Sequence, residues 1–414
     1  MAVVPGQGMR RGTRRAAEDP LWSRDLVLVV TSSFLAFAAF GISLPVLPRY
    51  VVEELGRGDA TAGFVFGSFA IAAILVRPFV GRWGDRRGRR RLMVAGAALM
   101  VLGLVGHVPA TTVGTLVLAR LVLGAGQAAL VVGAATMTLD LAPTGRQGEA
   151  SSYSMVAVQV GLGLGPVAGE LVLDAASYAM VWWVSAGVAL VSGAVALFVT
   201  PDRGHPDVAS IRGVAGFFHR SGLAPGVILA LGMTGFVGFL AFVPLYADEV
   251  GVQQAAPLFL LASLTIAGVR LAGARLPDRL GPVRTGTIAL TAAALGLFGL
   301  GFWPTPTGLY VMTFAMAAGT ALVVPSLLLA AVQGVAVHER SRVMATFTSF
   351  IDVAGALGPL LLGAVASVST YGAAFITAAF ACVVAGVLVR LWLTPALAAR
   401  VALSDGPPAG APDA

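Results

Sequence analysis

The chain has 414 residues, 57% of them hydrophobic and 11% charged, with a mean hydropathy of +0.87. An ordinary soluble domain carries about 25% charged residues, so a soluble globular fold is excluded, and recurring runs of roughly 20 apolar residues point to a polytopic membrane protein. The net charge of +7 comes from 27 basic residues, all arginine, against 20 acidic ones; we read the excess as arginine kept on the cytoplasmic side of a membrane, not as a nucleic-acid footprint.

Residues 1–24 form a basic tail (Arg10, Arg11, Arg14, Arg15, Arg24) that leads into an apolar stretch. That stretch is longer than the ~7–15-residue core of a cleaved signal peptide, so an uncleaved first helix over about 25–47 is expected. Further spans follow over about 61–80, 92–109, 112–139, 147–171 and 178–199. After a central cytoplasmic loop, 200–222, come spans over about 223–247, 255–276, 285–303, 308–335, 343–367 and 371–394. The tail 395–414, ending SDGPPAGAPDA, is too small and proline-rich to pack and is expected to be disordered. These runs are too long and too unalternating for barrel strands, so the expected fold is all-α with twelve transmembrane helices. With both termini inside, 21 arginines fall in cytoplasmic loops and tails and two, Arg49 and Arg57, fall outside. That bias fits N-in, C-in and a multi-pass protein of the plasma membrane.

Shifting the sequence by 193 residues lays one half on the other. GRWGDRRGRRR at 81–91 falls on ARLPDRLGPVR at 274–284, so Asp85 meets Asp278, Arg86 meets Arg279 and Gly88 meets Gly281. At the same offset Arg77 meets Arg270, Gln159 meets Asp352, and Gly165-Pro166 meets Gly358-Pro359. Several matches at one offset indicate two pseudo-symmetric six-helix bundles, 25–199 and 223–394. An offset of six helices, an even number, makes them parallel repeats, with the binding site near the midplane between them.

The stretch 81–91 carries six arginines and one aspartate. It resembles the major facilitator superfamily signature G-x-L-x-D-R-x-G-R-[RK]: Gly81, Gly84, Asp85, Arg86, Gly88, Arg89 and Arg90 occupy its places, and Trp83 stands where a smaller aliphatic residue is usual. Three further segments support the resemblance. GISLPVLPRY, ending helix one, is similar to a pattern of drug:proton antiporters, with Gly41, Pro45 and Pro48 spaced one residue tighter. ARLVLGAGQAAL in helix four matches through Arg120, Gly124 and Ala128. GLGLGPVAGELV in helix five matches the antiporter-associated G-x-x-x-G-P-x-x-G-G through Gly161, Gly165, Pro166 and Gly169, with Glu170 replacing the final glycine. The resemblance implies the twelve-helix efflux branch of the superfamily. It also implies that the 81–91 loop and its copy (Asp278, Arg279) act as a conformational lock, a cluster to which we add Arg146 as the expected partner of Asp85.

An arginine within helix four costs a few kcal/mol unless it faces a cavity or a partner. Arg120 would therefore bind an anionic substrate group or lower the pKa of a proton-carrying acid, or else bond structurally to carbonyls of helix one. Asp352, in TSFIDVAGALGP, lies some ten residues into helix eleven, about 15 Å deep at 1.5 Å per residue. It is expected to carry protons; the bland alternative is a protonated acid bonded to a neighbouring helix. Glu170, Asp174, Asp248 and Glu249 read as a solvated acidic rim, with Glu170 as an alternative proton acceptor. Helices five and eleven should bend at their Gly-Pro steps. Ser32, Ser33, Phe37, Gln127, Gln159, Phe236 and Asp352 are the expected cavity lining.

No enzyme is indicated. GLGLGP lacks the preceding strand of a nucleotide site, no Walker loop is present, and the histidines at 107, 205, 219 and 338 lack metal-ligand spacing. Cys382 is the only cysteine, so no intrachain disulfide is possible. The expectation is a monomeric secondary transporter without cofactor that exports a small amphipathic or hydrophobic compound in exchange for protons. An importer or uniporter of a sugar or other metabolite is the alternative, and a non-transporting sensor a remote one.

Overall fold

The computed structural model describes residues 21–143, 145–201, 219–273, 275–335 and 339–395, and no strand occurs among them. The expected tails and most of the central loop lie outside the described residues. In the first half the long helices are α1 (Arg24–Ser43), α2 (Asp59–Arg87), α3 (Arg89–His107), α4 (Val113–Leu141), α5 (Gln147–Ala175) and α6 (Tyr178–Leu197). In the second they are α7 (Arg220–Val250), α8 (Ala256–Ala272), α9 (Pro282–Phe302), α10 (Pro306–Val332), α11 (Arg340–Val368) and α12 (Tyr371–Leu388). Eleven of them, among the described residues, are long and apolar enough to cross a membrane, while α8 is apolar but only 17 residues long.

Two boundaries differ from expectation. The chain does not leave the helix after residue 47. It turns at Leu44–Pro45, resumes over Val46–Arg49 and ends in a π-helical turn over Tyr50–Glu54. Proline is tolerated where a helix begins, because its missing N–H would have no partner there, so Pro45 restarts the helix instead of ending it. The 81–91 stretch is likewise almost entirely helical, since arginine is a good helix former. Only Gly88 interrupts it, with φ 94° and ψ 146°. Its counterpart Gly281 sits at φ 80° and ψ 156° before α9, a region that side chains other than hydrogen essentially exclude.

The 193-residue repeat is visible in backbone detail. Thr112 and Thr305 cap α4 and α10, and Ser177 and Thr370 cap α6 and α12, each side chain accepting from a backbone N–H. Gly103 on α3 lets the Leu123 backbone approach, and a Cβ there would lie 2.6 Å from its nitrogen. Gly296 on α9 accommodates Met316, the equivalent residue, in the same way. Gly126 against Met100 and Gly319 against Ala293 repeat the contact from the other side. Helices that cannot rely on the hydrophobic effect within lipid associate through such close van der Waals packing.

The chain divides into two compact units, one comprising Met1–Gly56 and Ser68–Ile211 and the other Arg57–Gly67 and Arg212–Ala414. In the first unit α1 packs on α5 and α6, and α3 on α4 and α6; in the second α7 packs on α11 and α12, and α9 on α10 and α12. The division does not follow the central loop alone, because the first turns of α2 cluster with the second unit.

Candidate functional site

Buried charge is concentrated in the first unit. Arg120 on α4 is 0% exposed. Its guanidinium lies over the rings of Phe69 (4.9 Å) and Phe40 (5.7 Å), a cation–π arrangement that strengthens where water is absent. One turn further on, Gly124 has no room for a Cβ because the Phe69 carbonyl of α2 sits against it; the glycine brings α2 close enough for Phe69 to reach Arg120. His107 at the end of α3 is also fully buried and lies within range of the Arg120 charge. Its Nδ1 is 2.7 Å from the Gly103 carbonyl and its ring 5.0 Å from that of Trp182. Reading the histidines only for metal spacing missed this residue; its place at the end of an apolar helix was the available signal.

Glu170 is not part of a solvated rim. It is 2% exposed, and its Oε1 lies 3.8 Å from Nη1 of Arg49, itself 8% exposed. Arg49 is drawn inside because the helix continues past Pro45, so it is no loop arginine. The two departures from pattern, an acid in place of the last motif glycine and a basic residue after two prolines, face each other in a buried ion pair.

On α5, Gly161, Gly165 and Gly169 abut the α1 backbone at Phe34, Ala38–Gly41 and Ile42. Here the motif is a packing seam, and α5 runs helically through Pro166. On α11, Gly358 lies beside Thr234 and Pro359 is within the helix. Asp352, in the middle of α11, is partly buried, with its Oδ2 atom enclosed. Gln159, Gln127 and Phe37 are partly buried, and Phe236 is 9% exposed. Ser32 leaves the expected cavity lining: it is 0% exposed and its hydroxyl donates to the Ser192 carbonyl at 3.1 Å, fastening α1 to α6. Ser33 is buried and donates to the Val29 carbonyl of its own helix at 2.9 Å.

In the basic stretch, Gly81 has open space around it while Gly84 packs on Leu92, and Arg86 is exposed. Arg89 pairs with Asp140 at the end of α4, and Arg90 donates to the Leu197 carbonyl at the end of α6 at 2.5 Å. The start of α3 thus grips two neighbours of its own unit. Arg146 forks onto Glu149 at 2.8 and 3.1 Å, which raises its pKa above the ordinary value. Its expected partner, the Asp85 side chain, lies outside the described residues. Asp278 and Arg279 are exposed on a short helix, Leu276–Leu280. Asp278 borders a cavity of about 460 Å³ that Gln333 and Arg340 also line.

Residues 29–335 match the family model of the Major Facilitator Superfamily. The chain belongs to the major facilitator superfamily. It is 27% identical over 347 residues to the MFS-type transporter YhhS of Escherichia coli K12, covering 81% of this chain and 84% of that protein. Among solved structures, the nucleoside transporter NupG superposes with a TM-score of 0.76 at 17% identity, covering 88% of this chain and 99% of that one. The human organic anion transporter MFSD10 superposes with a TM-score of 0.69 at 19% identity, covering 90% and 100%. At such identities the likeness establishes the fold, and the different cargoes in those names show that the fold does not choose the cargo. This facilitator is a multi-pass membrane protein and a secondary transporter of small molecules, not an enzyme.

Proposed function

We propose that this facilitator works by alternating access and exports a small amphipathic or hydrophobic compound in exchange for protons. The observation that carries the reading is Asp352, an acid in the middle of the membrane helix α11 with one carboxylate oxygen enclosed. A charge at such a depth costs about 2.5–3.5 kcal/mol, so an acid kept there points to a task beyond folding. A group poised between its two protonation states can take a proton on one side of a membrane and release it on the other. Gln159, its repeat equivalent, cannot ionise, so this position supplies a carboxyl in one half only. Arg120 and Glu170 are the other coupling candidates. Glu170, already paired with Arg49, exchanges its proton only if that pair opens. Direction is supported by the resemblance of Gly161–Gly169 to the antiporter motif, in which Glu170 is the departure.

Membrane placement follows from the arginine bias. Twelve spans put both termini on the cytoplasmic side of the plasma membrane, with α8 extended by Leu276–Leu280 as the eighth. The basic stretch 81–91, with Arg146 and the Asp278–Arg279 copy, then lies at the cytoplasmic surface as a lock that closes in one state and opens in the other. The working unit is a monomer. A proton moving inward gains about 2.3 kcal/mol per 100 mV, which drives the exchange without ATP.

The test uses proteoliposomes with an internal pH dye, a panel of amphipathic drugs and sugars, and the variant Asp352→Asn. We expect an amphipathic compound to trigger proton movement in the wild type, and at least a tenfold loss in the variant with substrate binding retained. Equal proton movement in the variant transfers the role to Glu170 or Asp140. Substrate flux with no proton movement sinks the antiport reading and leaves a uniporter.

A further inference from the structure

Among the described residues, six of the long helices begin with a side-chain cap. Five of the caps are hydroxyls: Ser23, Thr112, Ser177, Thr305 and Thr370 each accept from a backbone N–H of the first turn. The sixth, on α7, is an imidazole, whose Nδ1 accepts from the Ser221 N–H at 3.2 Å. The second half therefore opens on a histidine where the first half opens on Ser23. A hydroxyl caps at any ordinary pH, but an imidazole caps only while Nδ1 keeps its lone pair. Histidine is also the side chain that ordinarily changes charge between about pH 5 and 8.

The ring of His219 meets opposite demands from its two sides. Because Nδ1 accepts, the proton of the neutral ring is on Nε2, which lies 3.7 Å from Oε1 of Glu339, the residue before α11. Arg146 holds the corresponding place before α5, so the acid breaks the repeat as well. The backbone beside the ring is pinned to α11. The His219 N–H donates to Oγ1 of Thr346 at 2.8 Å, and that hydroxyl donates to the Arg342 carbonyl at 2.9 Å. A Cβ on Gly222 would lie 2.9 Å from the Val343 oxygen. With 17% of its side chain exposed, the ring is still open to protons from water.

The other charged groups at this end are all exposed. They are Arg220 next to the ring, Arg340 and Arg342 on α11, Arg284 on α9, Arg390 on the turn Val389–Leu393, and Asp278. Arg340 donates to the Val335 carbonyl at 3.4 Å and borders the same cavity as Asp278. α10 and α12, which also pack on α7, carry no charged residue.

We propose that His219 is a pH-responsive cap. Protonation fills the Nδ1 lone pair, so the ring gives up the Ser221 N–H and closes on Glu339 as an ion pair. Both partners are then charged, and hydrogen bonds between charged groups are shorter and stronger than neutral ones. Acid thus exchanges a bond within the first turn of α7 for one between the residue before α7 and the residue before α11. The Ser221 N–H, one of the donors that a helix cannot satisfy internally, is left to water. Since the neutral ring makes the cap, the cap is present at high pH and lost as pH falls. The device requires neither a particular cargo nor Asp352, and it stands or falls apart from the antiport reading above.

The experiment follows hydrogen exchange at the Ser221 amide of the full chain in lipid nanodiscs, by mass spectrometry with fragmentation that resolves single amides. Protection is the observed rate relative to that of an unstructured peptide at the same pH. From about pH 8 to about pH 5.5, across the ordinary range of histidine, the wild type should lose protection about fivefold, the ratio set by a cap of ordinary strength. His219→Asn, which caps without titrating, should keep equal protection at both ends of the range. His219→Ala should lack it at both. Glu339→Gln should move the fall to lower pH, because the charged ring loses its partner. Constant protection in the wild type overturns the proposal, as does an equal fall in His219→Asn. A fall whose midpoint ignores Glu339→Gln overturns the exchange of partners.

Discussion

The two halves share a skeleton and divide the chemistry. Caps, turn glycines and the close helix contacts recur at the 193-residue offset, down to Gly103 and Gly296 meeting equivalent residues. Among the described residues, the fully buried charges of the first half do not recur in the second. Where the first half buries Arg120, Arg49, Glu170 and His107, the second has Thr313, Phe242, Gly363 and Leu300. The one exchange in the other direction is Gln159 against Asp352. The caps and close glycine contacts that repeat build the helix bundle, while the buried charges that break the repeat add chemistry the bundle does not need in order to fold.

The largest test of that division makes the first half resemble the second. Arg49→Phe leaves the Glu170 carboxylate buried without this partner, and breaking such a pair from one side costs about 3–5 kcal/mol. Thermal unfolding in detergent should show a pronounced fall in Tm. Glu170→Gly added to Arg49→Phe installs both residues of the second half, and replacing a buried ion pair as a whole is often neutral. The double variant should therefore melt above Arg49→Phe alone. If the two single effects simply add, the residues are not coupled and the pair is no functional departure from the repeat.

A second test compares one glycine with its equivalent. At Gly165 a new Cβ would lie 2.6 Å from the Ala38 oxygen and 2.7 Å from the Gly41 Cα, all of it backbone; at Gly358 the nearest atom is the Thr234 oxygen at 3.3 Å. The difference arises because Thr234 stands where the first half has Gly41, so the second pair of helices cannot approach as closely. Gly165→Ala should destabilise by about 1–3 kcal/mol through overpacking, and Gly358→Ala by about 1 kcal/mol or less. Equal losses of Tm would mean that the seams are equivalent and the spacing irrelevant.

Much of this was legible in the sequence because membrane helices announce themselves by length and apolarity, and because the repeat could be found by a shift alone. Gly88 was legible as a turn for the same reason. What escaped were features that depend on where a side chain comes to rest. Arg49 looked like a loop residue because two prolines flank the apolar run, and only the resumed helix brings it to Glu170. Glu149, three residues beyond Arg146, is a carboxylate within its reach that the reading passed over. The Tyr371 hydroxyl donates to Asp59, 312 positions away in the chain, and no local pattern links them. Helices and the repeat follow from spacing; contacts with a partner on another helix do not.

Ser32 belongs to that second group and gives the smallest of the tests. It read as cavity lining because a polar residue in an apolar helix suggests a polar surface to face. Instead it meets Ser192: Ser32 donates to the Ser192 carbonyl at 3.1 Å, and Ser192 donates to the Ser32 carbonyl at 2.7 Å. The second half has Pro225 and Ala385 at these places, so α7 and α12 pack without a polar clasp. Interhelical hydrogen bonds of this type average about 0.6 kcal/mol in membrane proteins, because the separated helices also find partners. Ser192→Ala, which copies the second half, should lower Tm by no more than a degree or two and leave transport intact. A loss of transport at unchanged Tm would return Ser32 to the cavity and make the α1–α6 clasp part of the substrate path.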